Sequence, residues 1–199
     1  ELTRACRETV AQSGLDACYI RPLVYRAFGN VGVNPIGCPI SVAIATWQWG
    51  AYLGEDGFSN GIDVKVSSWQ RLAQNTIPAM AKSTANYLNA QLIKAEAIQD
   101  GYAEGIALNT NGTVSEGSGE NIFLVKNGEL ITPPASSSIL SGITRRTVMT
   151  LAEELGLTVR ETPVHREMLY LADELFFCGT AAEITPIRSV DRITVGGGK

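Results

Sequence analysis

The chain has 199 residues, 45% of them hydrophobic and 18% charged, with a mean hydropathy of +0.06. That balance excludes a solvated tail and gives enough apolar material for one large domain or two small ones. Sixteen Lys and Arg against twenty Asp and Glu leave a net charge of −4, and no apolar run reaches bilayer-spanning length, so neither nucleic acid nor a membrane is an expected partner.

Cys6, Cys18, Cys38 and Cys178 form no C-x-x-C pair, and a chain of this size needs no disulfide staples, which predicts a reducing, cytoplasmic setting. His165 is the one histidine. A His-rich metal centre is thereby excluded, and a Ser/His/Asp triad has a single ring to draw on.

Apolar or small residues at positions 2, 5, 6, 9 and 10 predict a helix already under way at Glu1, as a fragment would begin. Residues 17–25 read as a strand in which Pro22 marks an edge or a bulge. Positions 31–37 read as loop, and 40–46 as a strand buried on both faces. Residues 47–60, aromatic and glycine-containing without clear periodicity, read as a linker between two lobes. Alternation over 62–66 predicts a half-buried strand, and Pro78 introduces a helix from about 79 to 100 with Ala85, Leu88, Leu92 and Ala95 as its apolar stripe.

Asn111-Gly112 and Asn127-Gly128 predict two hairpins. A helix follows from Gly142-Ile143-Thr144 through Leu155, with Val148, Leu151 and Leu155 on one face and Gly156 as its stop. Beyond it come a strand over 157–161, a short helix over 167–172, a strand over 174–178, a turn of small residues at 179–182 and an extended segment over 183–190. The fold class is α+β.

Lys82 stands apart from the other lysines because it lies among small residues, Ala81-Lys82-Ser83-Thr84-Ala85. Close approach and partial desolvation there would favour a nucleophilic amine, although a solvated first-turn lysine has the same spacing. Ser115-Glu116-Gly117-Ser118-Gly119-Glu120-Asn121 sets two carboxylates four residues apart. On an extended chain they share a face and look into one cavity, which fits a flat ligand, a two-carboxylate hydrolase or an ordinary acidic turn. Gly142-Ile143-Thr144 at a helix start and Gly179-Thr180-Ala181-Ala182 in a turn each offer backbone donors to an anion, or simple capping.

In chain order, Lys82 with Asn86-Tyr87-Leu88, the Ser115–Asn121 stretch, Gly142-Ile143-Thr144-Arg145, and Tyr170-Leu171-Ala172-Asp173-Glu174 leading to Gly179-Thr180-Ala181-Ala182-Glu183-Ile184-Thr185-Pro186 closely resemble the fold-type IV aminotransferases. Tyr19-Ile20-Arg21-Pro22-Leu23 and Trp49-Gly50-Ala51-Tyr52-Leu53-Gly54 look like the branched-chain amino-acid enzymes of that family rather than its D-amino-acid aminotransferases or aminodeoxychorismate lyases.

The resemblance implies a two-lobed, D-amino-acid-aminotransferase-like architecture with pyridoxal 5'-phosphate as cofactor. Residues 1–51 would be the remainder of a small lobe, 52–60 a linker and 61–199 most of the cofactor lobe. It implies a ping-pong exchange of an amino group between leucine, isoleucine or valine and 2-oxoglutarate, with Lys82 as the Schiff-base lysine and Glu116 facing the pyridine nitrogen. Tyr87 would meet the ring hydroxyl, Ile143, Thr144 and Thr180 the phosphate, and Ala181 and Ala182 the substrate carboxylate. Tyr19, Arg21, Trp49 and Tyr52 would line the substrate pocket.

The resemblance also implies at least a dimer. Family members carry N-terminal and C-terminal parts, including a phosphate-binding arginine, that this chain lacks, so an inactive cofactor-binding fragment stays open beside the active enzyme.

Overall fold

The computed structural model describes residues 1–50, 52–54 and 56–196. Ala51 and Glu55, at and within the expected linker, and the glycine-rich end at 197–199 lie outside the described residues. The chain divides into two compact units, Glu1–Gly50 and Ala51–Lys199. No helix among the described residues is long and apolar enough to cross a membrane.

The first unit holds α1 (Leu2–Ser13), which ends at Gly14 in the left-handed conformation with φ 70°, and two antiparallel strands, β1 (Tyr19–Arg26) and β2 (Ile40–Trp47). They pair from Tyr19 opposite Trp47 to Arg26 opposite Ile40. Both are edge strands, which accommodates Pro22 opposite Ile44. The sequence predicts β2 buried on both faces, but most of its residues are exposed or only half-buried. A two-stranded sheet with one helix has too little material to cover two faces.

In the second unit the elements are α2 (Gly57–Asn60), β3 (Ile62–Val66), α3 (Tyr87–Gln99), β4 (Glu104–Leu108), β5 (Val114–Gly117), β6 (Asn121–Lys126) and β7 (Glu129–Thr132). They continue as α4 (Ile143–Glu154), β8 (Thr158–Glu161), α5 (Met168–Leu171), β9 (Glu174–Gly179), β10 (Glu183–Val190) and β11 (Ile193–Thr194).

Among the described residues nine strands form one mixed sheet in the order β5-β4-β3-β10-β9-β6-β7-β8, with β11 beside β10. β10 changes partner along its length, pairing antiparallel with β9 through Pro186 and parallel with β3 from Ile187 onward. Both Asn-Gly hairpins form where the sequence places them, joining β4 to β5 and β6 to β7. Asn127 and Gly128 both take positive φ, as a primed hairpin turn requires.

Period-two alternation on β6 divides the core. Ile122 and Leu124 join Val64, Ile106, Phe177 and Ile187 in the larger cluster, whereas Phe123 joins Leu130, Ala152 and Cys178 in a second. The Phe123 ring stacks on that of Phe176 with centroids 5.1 Å apart.

Two helix readings need correction. The helix expected from 79 starts at Tyr87, preceded by irregular chain and a single 3-10 turn at Thr84–Asn86. The Asn86 side-chain amide donates to the carbonyls of Pro78 (3.1 Å) and Ala81 (2.9 Å), holding this stretch out of the helix. The face that α3 buries is Ala90, Ile93 and Ala97, while Leu88 is 67% exposed. On α4, Arg145 and Ala152 are buried, and Leu151 and Leu155 face outward. In both helices the small residues allow close approach to the sheet, so the core face is not the one with the largest apolar side chains.

Gly105 on β4 shows how close α3 comes. A Cβ added there would stand 2.8 Å from Ile93 Cγ2 and 3.0 Å from the Ile93 carbonyl oxygen. Because one of those atoms is helix backbone, Gly105→Ala is expected to cost about 1–3 kcal/mol, read as a lowered urea midpoint at unchanged m-value.

Candidate active site

The register of the sheet assembles the site. Antiparallel pairing sets Asn121 at the start of β6 opposite Cys178 near the end of β9. The turn between β5 and β6 therefore lies beside the turn between β9 and β10. The first turn is closed by the Gly117 N–H donating to the Glu120 carbonyl at 2.8 Å. Glu116 and Glu120 are thus on opposite arms of a tight turn, not on one extended strand as the sequence predicts.

Both carboxylates nevertheless line one cavity of about 310 Å³. Lys82, Tyr87, Ile143, Thr144 and Thr180 line it too, so seven of the expected positions meet there, counting Glu120. Ala181 and Ala182 form the turn next to Thr180 but are not among the lining residues. Thr144 makes no capping bond, since the N-cap of α4 is Gly142.

Lys82 is exposed and lies ahead of the 3-10 turn rather than inside a helix. Its Nζ donates to the Tyr87 hydroxyl at 3.1 Å. Glu116 is 5% exposed and fully engaged. Arg71 Nη2 donates to its Oε1 at 2.6 Å, while Asn121 Nδ2 and the Leu140 backbone N–H donate to Oε2 at 2.9 and 3.0 Å.

Burial pushes the Glu116 carboxyl up to about 7, against the pull of Arg71, the Leu140 N–H and Lys82. With both oxygens committed to donors, it is poorly placed to attack or protonate a substrate as the hydrolase reading requires.

Glu120 is 3% exposed and receives the Gly119 N–H at 3.1 Å, but its Oε1 has no partner. Burial, then the neighbouring Glu104, push it up to about 8. Glu104 is itself fully buried and paired with Lys94 at 2.9 Å.

Tyr52 belongs to this neighbourhood. The Lys94 ammonium lies 5.4 Å from its ring centroid, and its phenol is raised by burial and by Glu120 and Glu104, with a Ser118 hydrogen bond opposing.

The remaining expected positions lie in the first unit and cluster among themselves. The Tyr19 ring is 4.7 Å from Trp49 and 5.1 Å from Trp47, and Arg21 donates to the Tyr19 hydroxyl at 3.3 Å. Arg21 also stacks over the Tyr19 ring at 5.2 Å, an aromatic-walled cation.

Sequence reading overlooks Arg71 and gives Asn86 and Asn121 no role, although all three line the cavity. Nothing local distinguishes Arg71, which follows Trp69-Gln70 in an irregular stretch and meets Glu116 only through tertiary structure.

The profile of the amino-transferase class IV family matches residues 1–190. The chain belongs to this family. It is 54% identical over 200 residues to the branched-chain-amino-acid aminotransferase of Escherichia coli (strain K12), covering 100% of this chain and 65% of that protein. The chain thus spans about 65% of the length of the curated relatives that it matches.

A crystal structure of the Escherichia coli branched-chain amino acid aminotransferase superposes with a TM-score of 0.97 at 55% identity, covering 99% of this chain and 65% of that one. The branched-chain amino acid aminotransferase from Thermobaculum terrenum, in its PLP-bound holo form, gives 0.88 at 40% identity, covering 98% and 62%. The α+β architecture is therefore that of the fold-type IV aminotransferases, as the motifs predict.

Proposed function

We propose that this chain is part of a branched-chain-amino-acid transaminase that uses pyridoxal 5'-phosphate to exchange amino groups between leucine, isoleucine or valine and 2-oxoglutarate in two ping-pong half-reactions. The observation that carries the reading is one cavity lined by an accessible lysine amine, a tyrosine hydroxyl 3.1 Å from it and a buried carboxylate with a dedicated cation. Such a reaction requires neither a metal nor an imidazole.

The cavity fits the cofactor. Its volume suits a single substituted ring. Gly119 leaves one wall open, with no atom within 4 Å of where a Cβ would stand. Elsewhere in the lining, the first N–H groups of α4 at Ile143 and Thr144 have no intrahelical acceptor, an anion site for the phosphate, with the Thr180 hydroxyl added. When bound, pyridoxal phosphate supplies an aldehyde that condenses with an amine and a ring that accepts the electrons left by a departing α-proton.

The chain's own residues divide the remaining work. Lys82 Nζ would take the proton from the substrate Cα and deliver it to the cofactor's aldehyde-derived carbon, one amine acting as base and then as acid. Tyr87, donating or accepting at its hydroxyl, holds the amine in register. Glu116 stays beside the ring nitrogen as the anion that favours an N–H there. Ala181 and Ala182 would present turn N–H groups to the substrate carboxylate. Tyr19, Arg21, Trp49 and Tyr52 would meet its side chain, aromatics for the aliphatic substrates and the guanidinium for glutamate.

Residues 1–51 would form the remainder of the small lobe, 52–60 the linker and 61–199 the cofactor lobe, in a cytoplasmic homodimer or larger homo-oligomer. Exposed Phe28, Val31, Val33 and Ile36 on the connection between β1 and β2 favour assembly.

Borohydride reduction after addition of pyridoxal phosphate, followed by peptide mapping, tests the reading. The trapped residue is expected to be Lys82, alongside leucine-dependent turnover in the full-length protein. Trapping elsewhere, or a preference for D-alanine over leucine as donor, would reject it.

A further inference from the structure

Among the described residues, Arg71 and Glu116 form the most deeply buried ion pair of the second unit, with side chains 5% and 6% exposed and a separation of 2.6 Å. Removing two charges from water is costly, and replacing such a pair by apolar groups is often neutral or stabilising. A pair kept in this position therefore calls for a reason other than stability.

Arg71 is itself tightly placed. Its backbone N–H donates to the Leu108 carbonyl at 2.9 Å, fixing it alongside β4, and its Nη1 donates to Asn89 Oδ1 at 3.2 Å. Asn89 is anchored in turn by donating to the Gln70 carbonyl at 2.8 Å. The guanidinium is thus oriented by α3 and by its own strand-flanking segment before it meets the carboxylate.

On the other oxygen, Asn121 is fixed by a second bond to the Leu140 carbonyl at 2.8 Å. Three donors from three separate parts of the chain converge on one carboxylate, and one of them carries a full positive charge. The other charged groups near Glu116 are Lys82, which favours its ionised form, and Glu120, which opposes it.

We infer that Arg71 is a positioning residue that aims Glu116 and favours its ionised form, and through it sets the affinity of the site for a protonated ring nitrogen. This rests on the cofactor reading above. Without Arg71, only the Leu140 N–H, Asn121 and Lys82 would oppose burial, and the carboxyl, already pushed up to about 7, would hold its proton to a higher pH, presenting an O–H donor where an acceptor is needed. Asn121 and Leu140 favour the ionised form as well, but the Arg71 guanidinium makes the largest contribution that opposes burial.

The test uses the full-length protein and begins without cofactor. Infrared titration of the carboxylic-acid band, assigned by its loss in Glu116→Gln, gives the Glu116 midpoint. In Arg71→Met that midpoint is expected to rise by about one pH unit or more, a tenfold change in proton affinity. Arg71→Lys, which keeps the charge, is expected to stay near the parent. Should Arg71→Met fail to fold, Arg71→Gln, neutral but hydrogen-bonding, carries the same expected upward shift.

Cofactor dissociation constants then complete a double-mutant cycle. Arg71→Met is expected to weaken binding at least tenfold in the parent and less than twofold on the Glu116→Gln background, roughly the non-additivity of residues acting through one another. A midpoint that does not move, or an equal loss on both backgrounds, would overturn the inference. Failure to trap Lys82 would instead overturn the cofactor reading, and the infrared measurement is independent of it.

Discussion

Lys82→Ala is expected to lower leucine:2-oxoglutarate turnover by the full-length protein by on the order of 10⁴-fold, the upper end of what a positioned acid–base group contributes. Stability should change little, within about 0.5 kcal/mol, because Lys82 is exposed and its side-chain hydrogen bond goes to the Tyr87 hydroxyl rather than into the core. Lys82→Arg should fail as completely, since a guanidinium is never deprotonated at working pH and cannot accept the α-proton. Loss of rate with an unchanged melting profile is therefore the expected pair of results. Turnover within about tenfold of the parent would remove Lys82 from the chemistry and return attention to Glu116 and Glu120.

The expected difference between rate and stability follows from where Lys82 sits. Sequence spacing suggests the first turn of a helix, where an amine would be part of a regular element. In the structure Asn86 holds residues 78–86 in irregular turns, with its amide bonded to Pro78 and Ala81. The lysine is thus carried on chain that the sheet and α3 fix at either end but that packs little itself. Such segments bear function at small cost to the fold.

What sequence makes legible is local. Asn-Gly pairs specify their own turns, glycine after α4 stops it, and alternation over 62–66 identifies a strand, because each signal acts within a few residues. The motifs at 82–88, 115–121, 142–145 and 179–186 likewise mark four separate stretches that the sheet brings to one cavity. Arg71 is not legible, because its meaning lies in a carboxylate 45 residues away in sequence. The buried faces of α3 and α4 escape for a related reason. Amphipathic pattern ranks residues by size and polarity, whereas Ala90, Ala97 and Ala152 are buried because a close-packed sheet selects small side chains.

Glu120→Gln is expected to make the cofactor-free, full-length protein more stable, by an amount that grows with pH. Glu120 is buried with its Oε1 unpartnered, and burial together with Glu104 pushes its carboxyl from an ordinary 4.5 up to about 8. Between those two values the native state binds a proton that the unfolded chain has released. Stability contributed by this site is therefore complete below about pH 4.5 and is lost as pH rises toward 8, with a slope of up to about 1.4 kcal/mol per pH unit.

Glutamine keeps an acceptor for the Gly119 N–H and has no proton to lose, so the difference between variant and parent should be near zero at about pH 4.5 and largest at about pH 8. Urea unfolding at half-unit pH intervals checks this. A difference that is flat across the range, or a variant less stable at the alkaline end, would show that Glu120 is ionised in the fold. The two carboxylates would then fail to divide as their surroundings suggest, with Arg71 beside Glu116 favouring its ionised form and no partner at Glu120 Oε1 to do the same. A single negative charge in the cavity is what one ring N–H requires, and the pH dependence of Glu120→Gln reports whether the site carries one or two.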